Sequence, residues 1–108
     1  MSDQTLVSFD SPVTEWSVYI VRCRDRALYT GIATDVTRRF AEHAQDDGRG
    51  AKYLRGKGPL QLVYVRAIGS KVLALRVESL IKRLRKAQKE ELVEHKLPLD
   101  PLIELARA

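Results

Sequence analysis

Residues 18–43, VYIVRCRDRALYTGIATDVTRRFAEH, set how the rest of the chain is read. With its flanks, the segment Trp16 to Arg24 is β-branched and aromatic. Its side chains are apolar on both faces between Val18 and Val21, which predicts a central strand covered on both sides. Asp25 and Arg26 mark a turn, and Ala27 to Ile32 predicts a second short strand, completing a hairpin. Thr34 or Asp35 can cap the following helix, which is expected to run to about Asp46, because either side chain can accept from the free amides of a first turn. Val36 and Phe40 form the predicted buried stripe of that helix. Arg39 and His43, four residues apart, lie along one edge of the stripe, with Arg38 further round.

The hairpin register decides what the two tyrosines do, since a slip of one residue sends every side chain to the opposite face. A two-residue loop of Asp25-Arg26 places Tyr19 and Tyr29 on opposite faces. A three-residue loop of Asp25-Arg26-Ala27 places them together, and the local sequence allows either. Two phenols, a guanidinium and an imidazole on one face would form an anion site. A catalytic arrangement needs a carboxylate as well.

Glu78 is the leading candidate for it. Ser70 is read as the cap of a long helix from Lys71, with Leu73, Val77, Leu80, Ile81 and Leu84 as its apolar stripe and Glu78 beside that stripe. Lys82, four residues on, also makes Glu78 half of an ordinary helix-surface pair. Helix is expected to continue through residues 90–97 until Pro98 and Pro101 stop it. Leu60 to Arg66, LQLVYVR, predicts a third strand. Before it, residues 47–59, DGRGAKYLRGKGP, contain four glycines, four bases and one tyrosine. This stretch is either a solvated connection or a phosphate-tracking loop, with Lys52, Arg55 and Lys57 as charges and Tyr53 for stacking. Residues 1–14 read as a loose leader, 15–96 as one domain and 97–108 as a C-terminal tail.

At 108 residues and a net charge of +5, with pI near 9.6, the chain is a small basic protein. Residues 1–15 hold three acids and no base, whereas residues 16–66 hold ten bases against five acids. The basic excess therefore belongs to the folded part and favours a polyanionic partner, most simply nucleic acid. The single cysteine, Cys23, cannot form an internal disulfide, and it reads as a small buried strand residue rather than a nucleophile. No apolar run approaches the ~20 residues needed to span a bilayer, and no signal peptide is apparent, so a cytoplasmic protein without a membrane partner is expected.

Taken together, these residues resemble the GIY-YIG nuclease domains, and in particular the small stand-alone bacterial proteins built on that domain. Tyr19 in VYI stands for the first motif and Tyr29-Thr30-Gly31 for the second. Arg39 follows Gly31 by eight residues and His43 by twelve, and the segment ALRVESLIKRL places Glu78 where the family carries its metal-binding glutamate. The resemblance runs from Trp16 to about Val93. The first motif lacks its glycine, Thr30 replaces the usual isoleucine or valine, Ala44 stands where asparagine is frequent, and no zinc-binding cysteine cluster follows.

The resemblance implies an α+β fold, with a three-stranded antiparallel sheet flanked by helices and both tyrosines facing one cleft, hence an odd-residue loop or an equivalent bulge. It implies a metal-dependent endonuclease acting on branched, nicked or flapped DNA, RNA not being excluded. Glu78 would hold one Mg²⁺ or Mn²⁺ and Arg39 the phosphate. Tyr19 would be the general base, Tyr29 would orient water or phosphate, and His43 would accept the tyrosine proton. Arg38, Lys52, Tyr53, Arg55, Lys57 and Lys82 would contact nucleic acid. The alternative is a binding module of the same fold with little independent activity, working beside a protein partner. Oligomeric state is not legible.

Overall fold

Strand β1 (Trp16–Arg22) takes the centre of a three-stranded antiparallel sheet, between β2 (Leu28–Ala33) and β3 (Gln61–Gly69). The computed structural model describes residues 15–45 and 49–108, so the expected leader of residues 1–14 lies outside the described residues. Helix α1 (Val36–Gln45) follows β2, and a short 3₁₀ turn (Lys52–Leu54) precedes β3. Helices α2 (Lys71–Lys82), α3 (Lys86–Glu94) and α4 (Asp100–Arg107) complete the α+β fold. No helix among the described residues is long and apolar enough to cross a membrane.

Alternation along β1 splits the core in two. Val18 and Ile20 point to one face and join Val77 and Ile81 of α2, Leu92 and Val93 of α3, and residues of α4 in the main cluster. Tyr19 and Val21 point to the other face, where a smaller cluster with Ala33 packs against partly buried Val36 and Phe40 of α1. The strand is thus apolar on both sides because both sides are covered.

Cys23 pairs with Ala27 around a three-residue loop, Arg24-Asp25-Arg26, with Arg26 in the left-handed region at φ 74°. Val21 then pairs with Tyr29 and Tyr19 with Gly31, so both tyrosines share a face. The loop is odd-numbered, but lies one residue earlier than the Asp25-Arg26-Ala27 alternative. Asp25 Oδ1 accepts from the Ala27 amide at 3.1 Å, which holds the turn in that place.

Two helix expectations are corrected. The long helix from Lys71 breaks after Lys82, and α3 restarts with Arg85 as N-cap, its amide donating to Gln88 Oε1 at 2.9 Å. Neither glycine nor proline marks the break. Arg22 holds the new helix to β1 by a two-pronged bond to Glu90, at 2.9 and 2.7 Å. Residues 97–108 are no tail, since Leu99, Ile103 and Ala106 sit in the main cluster. Pro101 stands in the first turn of α4, where a missing amide hydrogen costs nothing, so it opens a helix instead of ending one. Tyr64 donates to the Leu97 carbonyl at 2.5 Å and Arg66 pairs with Asp100 at 3.1 Å, tying this segment to β3.

Candidate active site

Gly31 explains how the phenol of Tyr19 is seated. The two residues pair across β1 and β2, and a Cβ at Gly31 would come within 2.5 Å of Tyr19 Oη, so the ring lies over the space a side chain would fill. Tyr19 is 1% exposed, and its Oη meets His43 Nε2 at 2.8 Å. Asp35 sets the start of α1 by accepting from the Arg38 amide at 3.0 Å, and two turns later the helix delivers His43 to the sheet. His43 is the buried residue of α1, whereas Val36 and Phe40, expected as the buried stripe, are only half-covered. The helix therefore docks through an imidazole. His43 Nδ1 in turn accepts from the Ala51 amide at 2.9 Å.

Arg39 approaches the same phenol from the edge of α1, and its charge and hydrogen bonding act on Tyr19. Its Nη1 also donates to Glu42 Oε1 at 2.9 Å and to the Arg49 carbonyl at 2.8 Å, which aim the guanidinium. Burial pushes Tyr19 up to about 12 and the neighbouring Tyr29 adds to this, while Arg39 opposes both, so the resting phenol is neutral. Burial holds His43 below the usual histidine range, helped by the Arg39 charge.

Tyr29 lies 6.4 Å from Tyr19 and 5.7 Å from His43, ring centre to ring centre, and Tyr53 stacks on Tyr29 at 5.9 Å. Tyr53 is 49% exposed, and Lys57 Nζ sits 4.3 Å from its ring centre. Because β2 is an edge strand, a cleft runs across that edge, lined by Leu28, Tyr29, Thr30, Tyr53, Lys82 and Lys89. Helix α2 reaches the same edge. The Glu78 carboxylate is 16% exposed, is paired with Lys82 at 3.3 Å, and contributes to the field at Tyr19.

The structure thus gathers Tyr19, Tyr29, Arg39 and His43 into one contact group, with Glu78 in electrostatic reach. Arg38 is exposed on α1 and lines a second cleft together with Arg39, Glu42, Trp16, Thr34 and Asp35. Lys52 and Arg55 are exposed on the turn before β3, and Lys57 is bound to Asp25 at 3.3 Å. Burial pushes the Cys23 thiol up, in keeping with a small core residue. Sequence reading missed Glu42, and the three-residue spacing from Arg39 to Glu42 is the signal that could have found it. Lys89, which reads from sequence as part of a solvated basic face or a second backbone contact, lines the cleft at the β2 edge.

On this three-stranded fold a buried tyrosine is thus bonded to a histidine, next to an arginine. The GIY-YIG catalytic domain matches residues 15–91, and the chain belongs to that nuclease-related family. Within it, the chain is 53% identical over 88 residues to a UPF0213 protein of Cronobacter sakazakii, covering 82% of this chain and 90% of that protein. It is 52% identical over 100 residues to a UPF0213 protein of Vibrio cholerae, covering 92% and 94%. A UPF0213 protein of Bacillus halodurans, solved by solution NMR, is 48% identical, with 76% of this chain and 85% of that chain covered and a TM-score of 0.49.

Proposed function

We propose that this protein is a divalent-metal-dependent endonuclease that hydrolyses DNA phosphodiester bonds at branched, nicked or flapped structures, in cytoplasmic repair or recombination. The observation that carries the reading is the convergence of His43 and Arg39 on the buried oxygen of Tyr19, in a chain of the GIY-YIG family. A phosphodiester repels nucleophiles and has a poor leaving group, so its hydrolysis needs countercharge and proton handling in one place.

Glu78 fits a hard cation, since it offers carboxylate oxygens at the sheet edge within electrostatic reach of Tyr19. Among the described residues no group of three or more His, Cys, Asp or Glu offers a fuller set. One Mg²⁺ or Mn²⁺ at Glu78 would therefore depend on water and phosphate oxygens for its other ligands. When bound, such an ion supplies positive charge to the phosphate and the leaving oxygen.

The remaining roles fall to the chain's own groups. Arg39, aimed by Glu42, presents a planar donor fork to the phosphate, worth most as negative charge accumulates. Tyr19 is the general base for the attacking water. With its phenol pushed up to about 12, it needs the Arg39 charge to favour the phenolate. Tyr29 orients water or phosphate through its hydroxyl. Arg38, Lys52, Tyr53, Arg55, Lys57 and Lys82 provide backbone and stacking contacts around the two clefts.

Cleavage of a labelled panel of single-stranded, duplex, flapped and four-way DNA, with RNA alongside, tests this with Mg²⁺, Mn²⁺ or EDTA. Wild type should cut some members only with metal, and Glu78→Ala and Arg39→Ala should each lose at least ~100-fold. Undiminished cutting by Glu78→Ala would remove the metal assignment. Binding without cutting would favour a module that works beside a protein partner.

A further inference from the structure

A neutral imidazole has one proton for two ring nitrogens, so a nitrogen that accepts a hydrogen bond forces the proton onto the other. His43 is 2% exposed, and burial and the Arg39 charge keep it neutral at pH 7 against the opposing pull of Glu42. Its Nδ1 faces the backbone nitrogen of Ala51 at 2.9 Å, and a backbone amide only donates. Nδ1 is therefore the bare nitrogen and Nε2 carries the hydrogen. Across the 2.8 Å contact, Nε2 donates to Tyr19 Oη. This reverses the expected direction, in which His43 took the tyrosine proton.

The turn that supplies the amide is built for a close approach. A Cβ at Gly50 would lie 2.7 Å from His43 Cα, 3.0 Å from its Nδ1 and 3.1 Å from the Glu42 carbonyl. Only glycine lets the turn settle so closely on α1, and the neighbouring Arg49 carbonyl meanwhile accepts from Arg39 Nη1 at 2.8 Å. Three consecutive residues thus touch both α1 side chains that converge on Tyr19.

We propose that the backbone of Arg49, Gly50 and Ala51 is a positioning element of the site, fixing His43 as a hydrogen-bond donor to Tyr19. It rests on the reading of Tyr19 as the base. A donor held on Oη stabilises the phenolate over the phenol, and the tyrosine's own proton must leave on the side away from His43. The same loop carries Lys52, Tyr53 and Arg55, so the segment that meets the substrate also sets the state of the base.

Nitrogen-15 NMR of the histidine side chains at neutral pH tests the proton placement on the full chain without substrate, with His43→Gln identifying the signals. Wild type should show a protonated, pyrrole-like Nε2 and a bare, pyridine-like Nδ1. Ala51 sits at φ −63° and ψ 137°, angles proline adopts, so Ala51→Pro is compatible with the backbone. The substitution puts a ring carbon in place of the amide hydrogen, which removes the donor and makes the imidazole shift away. In Ala51→Pro and Gly50→Ala, the two nitrogens should move toward an averaged pattern and cleavage should fall about 10–100-fold, with unfolding curves confirming that the variants are folded. A wild-type His43 protonated on Nδ1 overturns the placement. An averaged pattern with undiminished cleavage overturns the positioning role. A wild type that shows the Nε2–H form yet cuts nothing refutes the nuclease reading and upholds the proton placement.

Discussion

Alanine at Gly31 would bring its Cβ within 2.5 Å of Tyr19 Oη and 2.6 Å of Cζ, where carbon contacts normally settle at about 3.5–4.0 Å. The phenol would have to move by about 1 Å. It has little freedom to do so, because Tyr19 is buried and its oxygen is tied to His43 Nε2 at 2.8 Å. Overpacking of this kind costs about 1–3 kcal/mol, and the weakened hydrogen bond adds about 0.5–1.5 kcal/mol. Restricting the unfolded chain by replacing glycine offsets about 0.5–1 kcal/mol. The net expectation is a loss of about 1–3 kcal/mol. Urea unfolding of Gly31→Ala, Tyr19→Ala and the double variant measures it as a cycle. With the phenol gone, the three atoms nearest the added methyl are removed, and Gly31→Ala should become neutral or mildly stabilising. A coupling of about 2 kcal/mol is expected between the two positions. Equal costs in both backgrounds, or none in wild type, would refute the claim that the phenol lies over the glycine.

Arg22 beside Glu90, with help from Lys86, holds the Glu90 carboxyl at about 2, below its ordinary 4.5. The stabilisation is therefore complete above pH 4.5 and disappears as pH falls toward 2. The nominal value of roughly 3 kcal/mol reduces to about 1–2 kcal/mol for a pair partly open to solvent, and this extra loss on acidification should vanish in Glu90→Gln, measured by urea unfolding at each pH. Lys96 closes α3 in the left-handed region at φ 50°, with Leu97 and its own amide bonded back to Leu92 and Val93. Lys96→Gly should relieve that strain and raise the thermal midpoint by about 2–4 °C, a gain near 0.5 kcal/mol after loss of the Lys96 bond to the Val63 carbonyl.

Much of this arrangement was legible because it depends on short-range chemistry. The doubly apolar run from Val18 to Val21, the Ser70 cap and the four-residue step from Arg39 to His43 each follow from local periodicity, and the structure shows all three. The hairpin register was not legible, since it turns on one residue of loop length and on Arg26 accepting a left-handed backbone. The break between α2 and α3 was hidden for a different reason. The direction α3 takes after it is held by a bond between Arg22 and Glu90, residues 68 positions apart, and no sequence window spans that distance. Pro101 misled because proline marks a helix start as well as a helix end, whereas Pro98 does follow the end of α3. At the site, Glu78 beside Lys82 reads the same locally whether or not it serves Tyr19. The hydrogen bond from Ala51 belongs to the backbone and leaves no side-chain signature at all.

The two faces of the sheet differ in what holds them. On one, buried residues from β1, β3, α2, α3 and α4 form a thick apolar layer; on the other, among the described residues, a smaller cluster of Tyr19, Val21 and Ala33 with half-covered Val36 and Phe40, and a few polar bonds, hold α1. Apolar contact resists opening in proportion to area, whereas a hydrogen bond to His43 is readily exchanged for one to water. The α1 side is therefore the low-energy end of the molecule's own fluctuations. It should lift and reclose while the other layer stays shut, so local opening at α1 does not require passage through the unfolded state.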